Sequence, residues 1–137
     1  MASRIDAVLE SARARLARIE AGDVPAAVAR GAVLVDIRPA AQRASEGEVA
    51  SAVVIERNVL EWRLDPTSEA RLPQAVDDDV EWLVLCSEGY TSSLAAASLL
   101  DLGLHRATDV VGGHQALRST GALDRLSESL VGTQQRP

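Results

Sequence analysis

Cys86 is the only cysteine in the chain, and the residues around it can turn a thiol into a nucleophile. It follows an apolar run, residues 82–85, and precedes six residues that lead into a helical pattern: Ser87, Glu88, Gly89, Tyr90, Thr91 and Ser92. A loop that leaves a parallel strand and enters a helix directs backbone N–H groups inward, where the helix dipole favours negative charge. Such a loop stabilises a thiolate and an anion bound to it. We therefore predict that Cys86 is catalytic and that the six following residues bind its substrate.

A structural role for Cys86 is the alternative. Free cysteine is among the most buried residue types, so Cys86 could be a small apolar side chain at the end of a strand. The neighbouring residues favour chemistry, because Gly89 permits a crowded or left-handed backbone. Thr91 or Ser92 is expected to cap the following helix with its hydroxyl group.

Two arginines are candidates for binding an anionic substrate beside this loop. Arg57 and Arg63 follow the second apolar run, whose carboxyl end should lie on the same side of the sheet as Cys86. Either arginine can instead be a solvated surface residue paired with Glu56 or Glu61. Both interpretations stay open from the sequence.

Four apolar runs have the length of strands and predict the sheet that positions these residues. They are residues 33–35, 52–55, 82–85 and 107–111. The two middle runs lack polar alternation, as expected of parallel strands buried on both faces, and helical patterns lie between the runs. The sequence therefore predicts an α/β domain. Asp36 and Arg38 close the first run, and we expect them to pair and fix the first loop.

A helical pattern precedes the predicted sheet at the N-terminal end of the chain. Apolar residues recur at three- and four-residue steps over residues 3–20, which predicts an amphipathic helix. This helix could pack on the sheet or form a dimer contact. We expect residues 1–31 to be a helical extension packed on the domain, 32–125 the domain itself, and 126–137 a C-terminal tail that is frayed from Val131.

Composition limits the classes of function. The chain has 137 residues, a formal charge of −6 and a pI near 4.9, which favours one domain and argues against nucleic acid as a partner. No apolar stretch is long enough to span a bilayer, and a lone cysteine suits a reducing compartment. We expect a cytoplasmic protein with no membrane partner. His105 and His114 are isolated, and the run 77–79 of aspartates is typical of a solvated face, so no metal or other cofactor is expected.

The pattern Cys-x-x-Gly-x-Thr-Ser after an apolar strand resembles the active-site loop of the rhodanese family. Three other segments resemble that family's motifs in the same order: 33–38 its opening strand with Asp-x-Arg, 46–52 its Gly-His-Ile-x-Gly-Ala turn, and 111–117 with Gly121 its closing Gly-Gly helix. The resemblance runs from about residue 33 to residue 123. It implies a rhodanese-like three-layer domain with a mainly parallel central sheet.

The resemblance also implies a function, namely a sulfurtransferase that carries a sulfane sulfur as a Cys86 persulfide. The implied donor is a small molecule such as thiosulfate, mercaptopyruvate or a persulfide, and the acceptor can be a thiophilic protein. Three residues depart from the family's pattern. Glu48 replaces a histidine and Leu117 a tryptophan, both at structural positions, while Thr91 stands where single-domain members most often have arginine and where some sulfurtransferases have threonine.

Glu88 is the loop residue that fits a thiosulfate enzyme least well. Its charge opposes a thiolate and a dianionic donor, so it could steer the enzyme towards a less charged donor. Alternatively, its side chain points into solvent and has no such effect.

Two other functions compete with sulfur transfer. A phosphatase or arsenate reductase would need an arginine six positions after the cysteine, and Ser92 stands there instead. A noncatalytic binding or regulatory module with the same fold is the second alternative. The presence of Cys86 argues against it.

Overall fold

The computed structural model describes residues 3–134, and the side chains of residues 3–128. Its centre is a parallel sheet of four strands: β1 (Val33–Asp36), β2 (Val53–Val54), β3 (Trp82–Leu85) and β4 (Thr108–Asp109). Their order across the sheet is β2-β1-β3-β4. Helices cover both faces of the sheet, so the predicted α/β fold is confirmed.

The central strand β3 carries apolar side chains on both faces, as the sequence predicted. All four of its residues are buried, and successive side chains point to opposite sides. Trp82 and Val84 join one core cluster, whereas Leu83 and Leu85 join the other. Because Leu85 pairs with Asp36 of β1, the residues that follow these two strands meet at one edge of the sheet.

In residues 3–134, seven helices connect or flank the strands: α1 (Arg4–Ala14), α2 (Val24–Ala29), α3 (Ala40–Glu46), α4 (Leu60–Leu64), α5 (Thr91–Asp101), α6 (Gly113–Ser119) and α7 (Ala122–Gln134). Single 3-10 turns precede α2 and α4. Residues 65–81, between α4 and β3, contain neither helix nor strand. Among the described residues, no helix is both long and apolar enough to cross a membrane.

The N-terminal extension differs from the single helix predicted over residues 3–20. Helix α1 begins after Ser3, whose side chain forms a capping box with Asp6, and it ends at Ala14. Residues beyond it run extended, and Ile19 forms a parallel bridge with Val110 beside β4. Ile19 packs against the core from this extended segment, so its apolar character did not require a helix. The extension packs on α5 and lengthens the ordered edge of the sheet.

The C-terminal region is helical where the sequence suggested a tail. Helix α7 runs through residue 134, and Leu126 is buried in the core cluster that also holds Val24 of α2. Helix α7 is mainly polar, so its sequence shows no continuous apolar pattern. The apolar contact of Leu126 holds it in place. The remaining tail residues, 135–137, lie outside the described residues.

Candidate active site

The loop of residues 86–90, here called the Cys86 loop, joins the end of β3 to the start of α5. Cys86 is only 5% exposed, and the backbone N–H of Gly89 donates to its Sγ over 3.2 Å. Within the described part of the chain, the backbone N–H groups of Glu88, Tyr90, Thr91 and Ser92 have no protein acceptor. The loop and the start of α5 therefore direct one N–H donor at the sulfur and hold four more donors that an anion can accept from.

Close backbone packing holds the Cys86 loop against the start of α6. Gly89 has a φ of +85°, and a Cβ there would lie 2.8 Å from the Gly112 nitrogen. A Cβ on Gly113 would lie 2.5 Å from the Cys86 carbonyl oxygen. The backbone N–H of His114 donates to that same carbonyl over 2.8 Å. The Gly-Gly turn noted in the sequence thus acts as a support for the nucleophile.

The predicted helix cap by Thr91 or Ser92 is wrong. Helix α5 begins after Tyr90, and no side chain caps it. Thr91 is exposed, whereas Ser92 is fully buried and donates its hydroxyl to Asp109 Oδ2 over 2.7 Å. Ser93 donates to the same oxygen over 2.8 Å. These serines connect α5 to β4. A buried carboxylate without hydrogen-bond partners costs more free energy than an uncapped helix end that water can reach, so Ser92 donates to Asp109.

Arg13 and Arg18 of the N-terminal extension reach the loop, which the sequence did not predict. Arg13 donates to the Gly89 carbonyl over 2.7 Å and Arg18 over 3.0 Å. Arg18 also pairs with the buried Asp109 over 2.9 Å. The Arg13 guanidinium lies 5.4 Å from the ring centroid of Tyr90, which is 57% exposed. No local motif could have shown this contact, because the partners are more than 70 positions apart in sequence.

A buried ion-pair network supports the other side of the loop. Arg38 is 1% exposed and makes a bidentate pair with Asp36 at the end of β1, in which Nε donates to Oδ1 and Nη2 to Oδ2. Its guanidinium also donates to Glu46 over 3.2 Å, and Glu46 accepts from the Ser87 hydroxyl over 2.7 Å. Asp36, Arg38, Glu46 and Ser87 thus link β1, α3 and the Cys86 loop.

Charge and hydrogen bonding set the protonation states in this network. Burial lowers the pKa of Arg38, but its hydrogen bonds and charge interactions with Asp36 and Glu46 outweigh burial, so the pKa is raised. The hydrogen bond from Ser87 lowers the pKa of Glu46, and Arg38 lowers it further. Glu46 is therefore held as a carboxylate. Its part in the site was not recognised from the sequence.

Glu88 lies at the exposed rim of the loop. Gln115 Nε2 is 3.5 Å from Glu88 Oε1 and 3.2 Å from the Ser87 hydroxyl. The Glu88 carboxylate is therefore near the mouth of the loop. A role in choosing the donor stays a prediction.

The two candidate arginines lie on or beside α4 and already have partners. Arg57 pairs with Glu61 over 3.0 Å, and Arg63 donates to the Ala70 carbonyl over 2.6 Å. Arg57 also lines a pocket of about 300 Å³ together with Ile37, the residue after β1. Ile37 donates its backbone N–H to the carbonyl of Leu85, so the pocket lies at the edge of the sheet where Cys86 is found. Donor binding by Arg57 or Arg63 stays a prediction.

The described residues contain no group of three histidine, cysteine, aspartate or glutamate side chains that could hold a metal ion. The chemistry that the site offers is that of a lone thiol in a loop of amide donors.

A family model for the rhodanese-like domain matches residues 17–120 of this chain. Since the match covers most of the chain, the protein belongs to the rhodanese-like domain family. No curated protein sequence matches it.

Solved structures show the same fold. A protein of unknown function from Rhodopseudomonas palustris CGA009, described as a possible tyrosine phosphatase, superposes with a TM-score of 0.77 at 28% identity, covering 88% of this chain and 93% of that one. A rhodanese-related protein from Thermoplasma volcanium gives 0.58 at 24% identity, covering 76% and 92%. The human single-domain sulfurtransferase TSTD1 gives 0.59 at 21% identity, covering 74% and 95%. At these identities the last two comparisons show a shared fold.

Proposed function

We propose that this protein is a sulfurtransferase that carries a sulfane sulfur as a persulfide on Cys86. The observation that carries the proposal is the Gly89 N–H directed at the Cys86 sulfur, within a loop whose other N–H groups have no protein acceptor among the described residues. These groups can stabilise the thiolate and then the persulfide anion. The single cysteine supplies the nucleophile.

The proposed reaction is a double displacement at sulfur. The Cys86 thiolate attacks the outer sulfur of thiosulfate or of a persulfide, or the thiol sulfur of mercaptopyruvate. The new S–S bond forms as the donor's bond to that sulfur breaks, and the leaving group keeps the electron pair. An acceptor nucleophile, such as the thiolate of a protein, then takes the outer sulfur and releases the Cys86 thiolate.

Substrate binding is assigned mainly to the backbone of residues 87–92, with Arg57 and Arg63 as further candidates. Ser87 and Ser92 contribute through their N–H groups, since their hydroxyls are engaged with Glu46 and Asp109. Asp36 and Arg38 support the loop and have no contact with substrate in this proposal. A cytoplasmic location remains our prediction from the sequence.

Intact-protein mass spectrometry after exposure to each donor tests this function. The wild-type protein should gain one sulfur atom, and Cys86→Ser should gain none while its melting temperature stays nearly unchanged. An acceptor thiol such as dithiothreitol should remove the added sulfur. Failure of every donor to load Cys86, or loading of Cys86→Ser, would refute the proposal.

A noncatalytic binding module is the second candidate, favoured by the 5% exposure of Cys86 and its place in a core cluster. In that case Cys86→Ser would chiefly lower the melting temperature, and no donor would load the wild-type protein. A phosphatase is not proposed. Ser92, at the sixth position after Cys86, is buried against Asp109, so the loop has no guanidinium there to grip a phosphate.

A further inference from the structure

Two guanidinium groups from the N-terminal extension converge on one carbonyl oxygen of the Cys86 loop. Arg13 and Arg18 donate to Gly89 over 2.7 and 3.0 Å, and Arg13 also donates from Nε to the Ser93 hydroxyl over 3.2 Å. We propose that Arg13 is a positioning residue for Cys86, which fixes the loop through Gly89 and supplies it with positive charge. This inference rests on the proposed sulfur transfer and deepens it.

The geometry of the Gly89 peptide explains why the two hydrogen bonds from Arg13 and Arg18, here called the arginine clamp, are needed. In a planar trans peptide, the Gly89 carbonyl and the following Tyr90 N–H point in opposite directions. With the carbonyl bound to the two arginines, the Tyr90 N–H faces away from them. Glycine has low barriers to backbone rotation, so this peptide could otherwise turn its carbonyl oxygen towards the anionic sulfur. Two charge-assisted hydrogen bonds oppose that rotation.

The arginine clamp also adds positive charge to a loop that otherwise carries only negative charge. Residues 86–92 contain no lysine or arginine, and their one charged side chain is Glu88. Arg18 is balanced by the buried Asp109. Arg13, by contrast, takes part in no ion pair among the described residues, so no carboxylate neutralises its charge by direct contact.

Arg13 lies outside the family match, which begins at residue 17. The charge of Arg13 therefore comes from outside the matched region, whereas Arg18 lies within it. Arg18 is a poorer test of the idea, because removing it leaves the Asp109 carboxylate buried without its ion-pair partner. Arg13 can be replaced without creating such a charge.

The experiment compares Arg13→Met, Arg13→Lys and a control, Arg15→Met. Arg15 lies one residue beyond α1 and pairs with Asp101 of α5 over 2.6 Å, so the control removes a bond between the N-terminal extension and α5 without touching the loop. The readout is the rate of Cys86 alkylation by neutral iodoacetamide and by anionic iodoacetate. This readout does not depend on sulfur transfer.

Arg13→Met should slow the iodoacetate reaction by about tenfold, which corresponds to about 1.4 kcal/mol, and slow the iodoacetamide reaction less. Arg13→Lys keeps the charge and should retain the wild-type ratio of the two rates. Arg15→Met should change neither rate by more than about twofold. A purely structural role would slow both reagents equally.

The inference is overturned if Arg13→Met keeps the wild-type ratio, or if Arg15→Met changes it as much. Melting temperatures measured beside the rates confirm that each variant is folded during the assay, and Arg13→Gln, which also removes the charge, provides the second test if Arg13→Met unfolds. Failure of the wild-type protein to form a persulfide would refute the proposed function alone. Persulfide formation with unchanged alkylation ratios would refute the role of Arg13 alone.

Discussion

Gly113 shows how one residue without a side chain can determine the position of the nucleophile. Its φ is +61°, and a Cβ would lie 2.5 Å from the Cys86 carbonyl oxygen and 2.7 Å from the Ser87 carbonyl carbon. Both neighbours are backbone atoms, which cannot rotate away as a side chain can. Any larger residue must therefore displace the Cys86 loop or α6.

Gly113→Ala should both destabilise the protein and slow alkylation of Cys86. The matched control is Gly103→Ala, because Gly103 has a φ of +92° but nothing within 4 Å of the added Cβ. The control should cost about 1 kcal/mol in the free energy of unfolding, from the backbone conformation alone. Gly113→Ala should cost about 2 kcal/mol more through overpacking.

Urea unfolding and the iodoacetamide rate measure the two effects. Equal losses of stability in the two variants, with Cys86 alkylated at the wild-type rate in both, would show that Gly113 does not support the loop.

His114 is a buried titratable residue beside the ion-pair network. It is 0% exposed, and neither ring nitrogen has a hydrogen-bond partner among the described residues. Burial lowers its pKa from 6.5, with Arg38 and Arg118 lowering it further, while Glu46 and Asp36 act in the opposite direction. The neutral ring is therefore the form that suits the folded protein.

This lowered pKa predicts a loss of stability in mild acid. The unfolded chain binds a proton at His114 below about pH 6.5, whereas the folded protein resists it, so stability present above that pH falls as the pH decreases. His114→Leu should flatten the dependence of the unfolding free energy between about pH 7 and pH 5. The control is His105→Gln, since His105 is exposed and pairs with Asp79. An identical pH dependence in wild type and His114→Leu would contradict the prediction.

At the scale of elements, the sequence predicted best the strands that are buried along their whole length. The runs 52–55 and 82–85 were both predicted to be strands buried on both faces; this is confirmed for β3 and wrong for β2, where Val54 is 44% exposed. β2 and β4 are shorter than the runs 52–55 and 107–111 suggested, since each has only two residues in register with its neighbour. Helix α7 was missed because its place depends on a contact with α2.

The candidate site divides in the same way. Cys86 and the loop after it follow from the order of strand, turn and helix, which is visible in the sequence. The residues that contact the loop could not be predicted in this way, because Arg13, Glu46 and Asp109 come from three distant segments of the sequence. Ser92 was expected at the helix end, but tertiary packing turned its hydroxyl towards Asp109.

Asp109 joins three elements and provides a prediction at this scale. It is 0% exposed on β4, pairs with Arg18 of the extension, and accepts from Ser92 and Ser93 of α5. Asp109→Asn should lower the free energy of unfolding by about 3 kcal/mol, because it leaves the guanidinium of Arg18 without its counter-charge.

The matched control is Asp101→Asn, which breaks the exposed pair with Arg15. It should cost no more than about 0.5 kcal/mol. Chemical unfolding of both variants measures the difference. Comparable effects of the two substitutions would show that Asp109 does not hold the extension to the sheet.

For the whole molecule, charge is the property that bears most on the choice of donor. The protein carries a formal charge of −6, and Glu88 places a carboxylate at the mouth of the Cys86 loop. Two like unit charges about 6 Å apart repel by about 3 kcal/mol at an effective dielectric constant near 20, and by less where water and salt screen them. A dianionic donor such as thiosulfate meets this repulsion, whereas a less charged persulfide largely avoids it.

Glu88→Gln and Glu88→Lys should therefore raise the rate of sulfur loading from thiosulfate in that order, by about tenfold for the lysine variant. Glu69→Gln and Glu69→Lys are the controls, because Glu69 is exposed in the loop of residues 65–81 and changes the net charge by the same amount. If the local carboxylate is responsible, only the Glu88 variants respond, and their gain shrinks as salt is added. Equal gains at both positions would assign the effect to the charge of the whole molecule. Unchanged rates in all four variants at low ionic strength would show that Glu88 has no influence on the donor, since screening is weakest there and any repulsion would be at its largest.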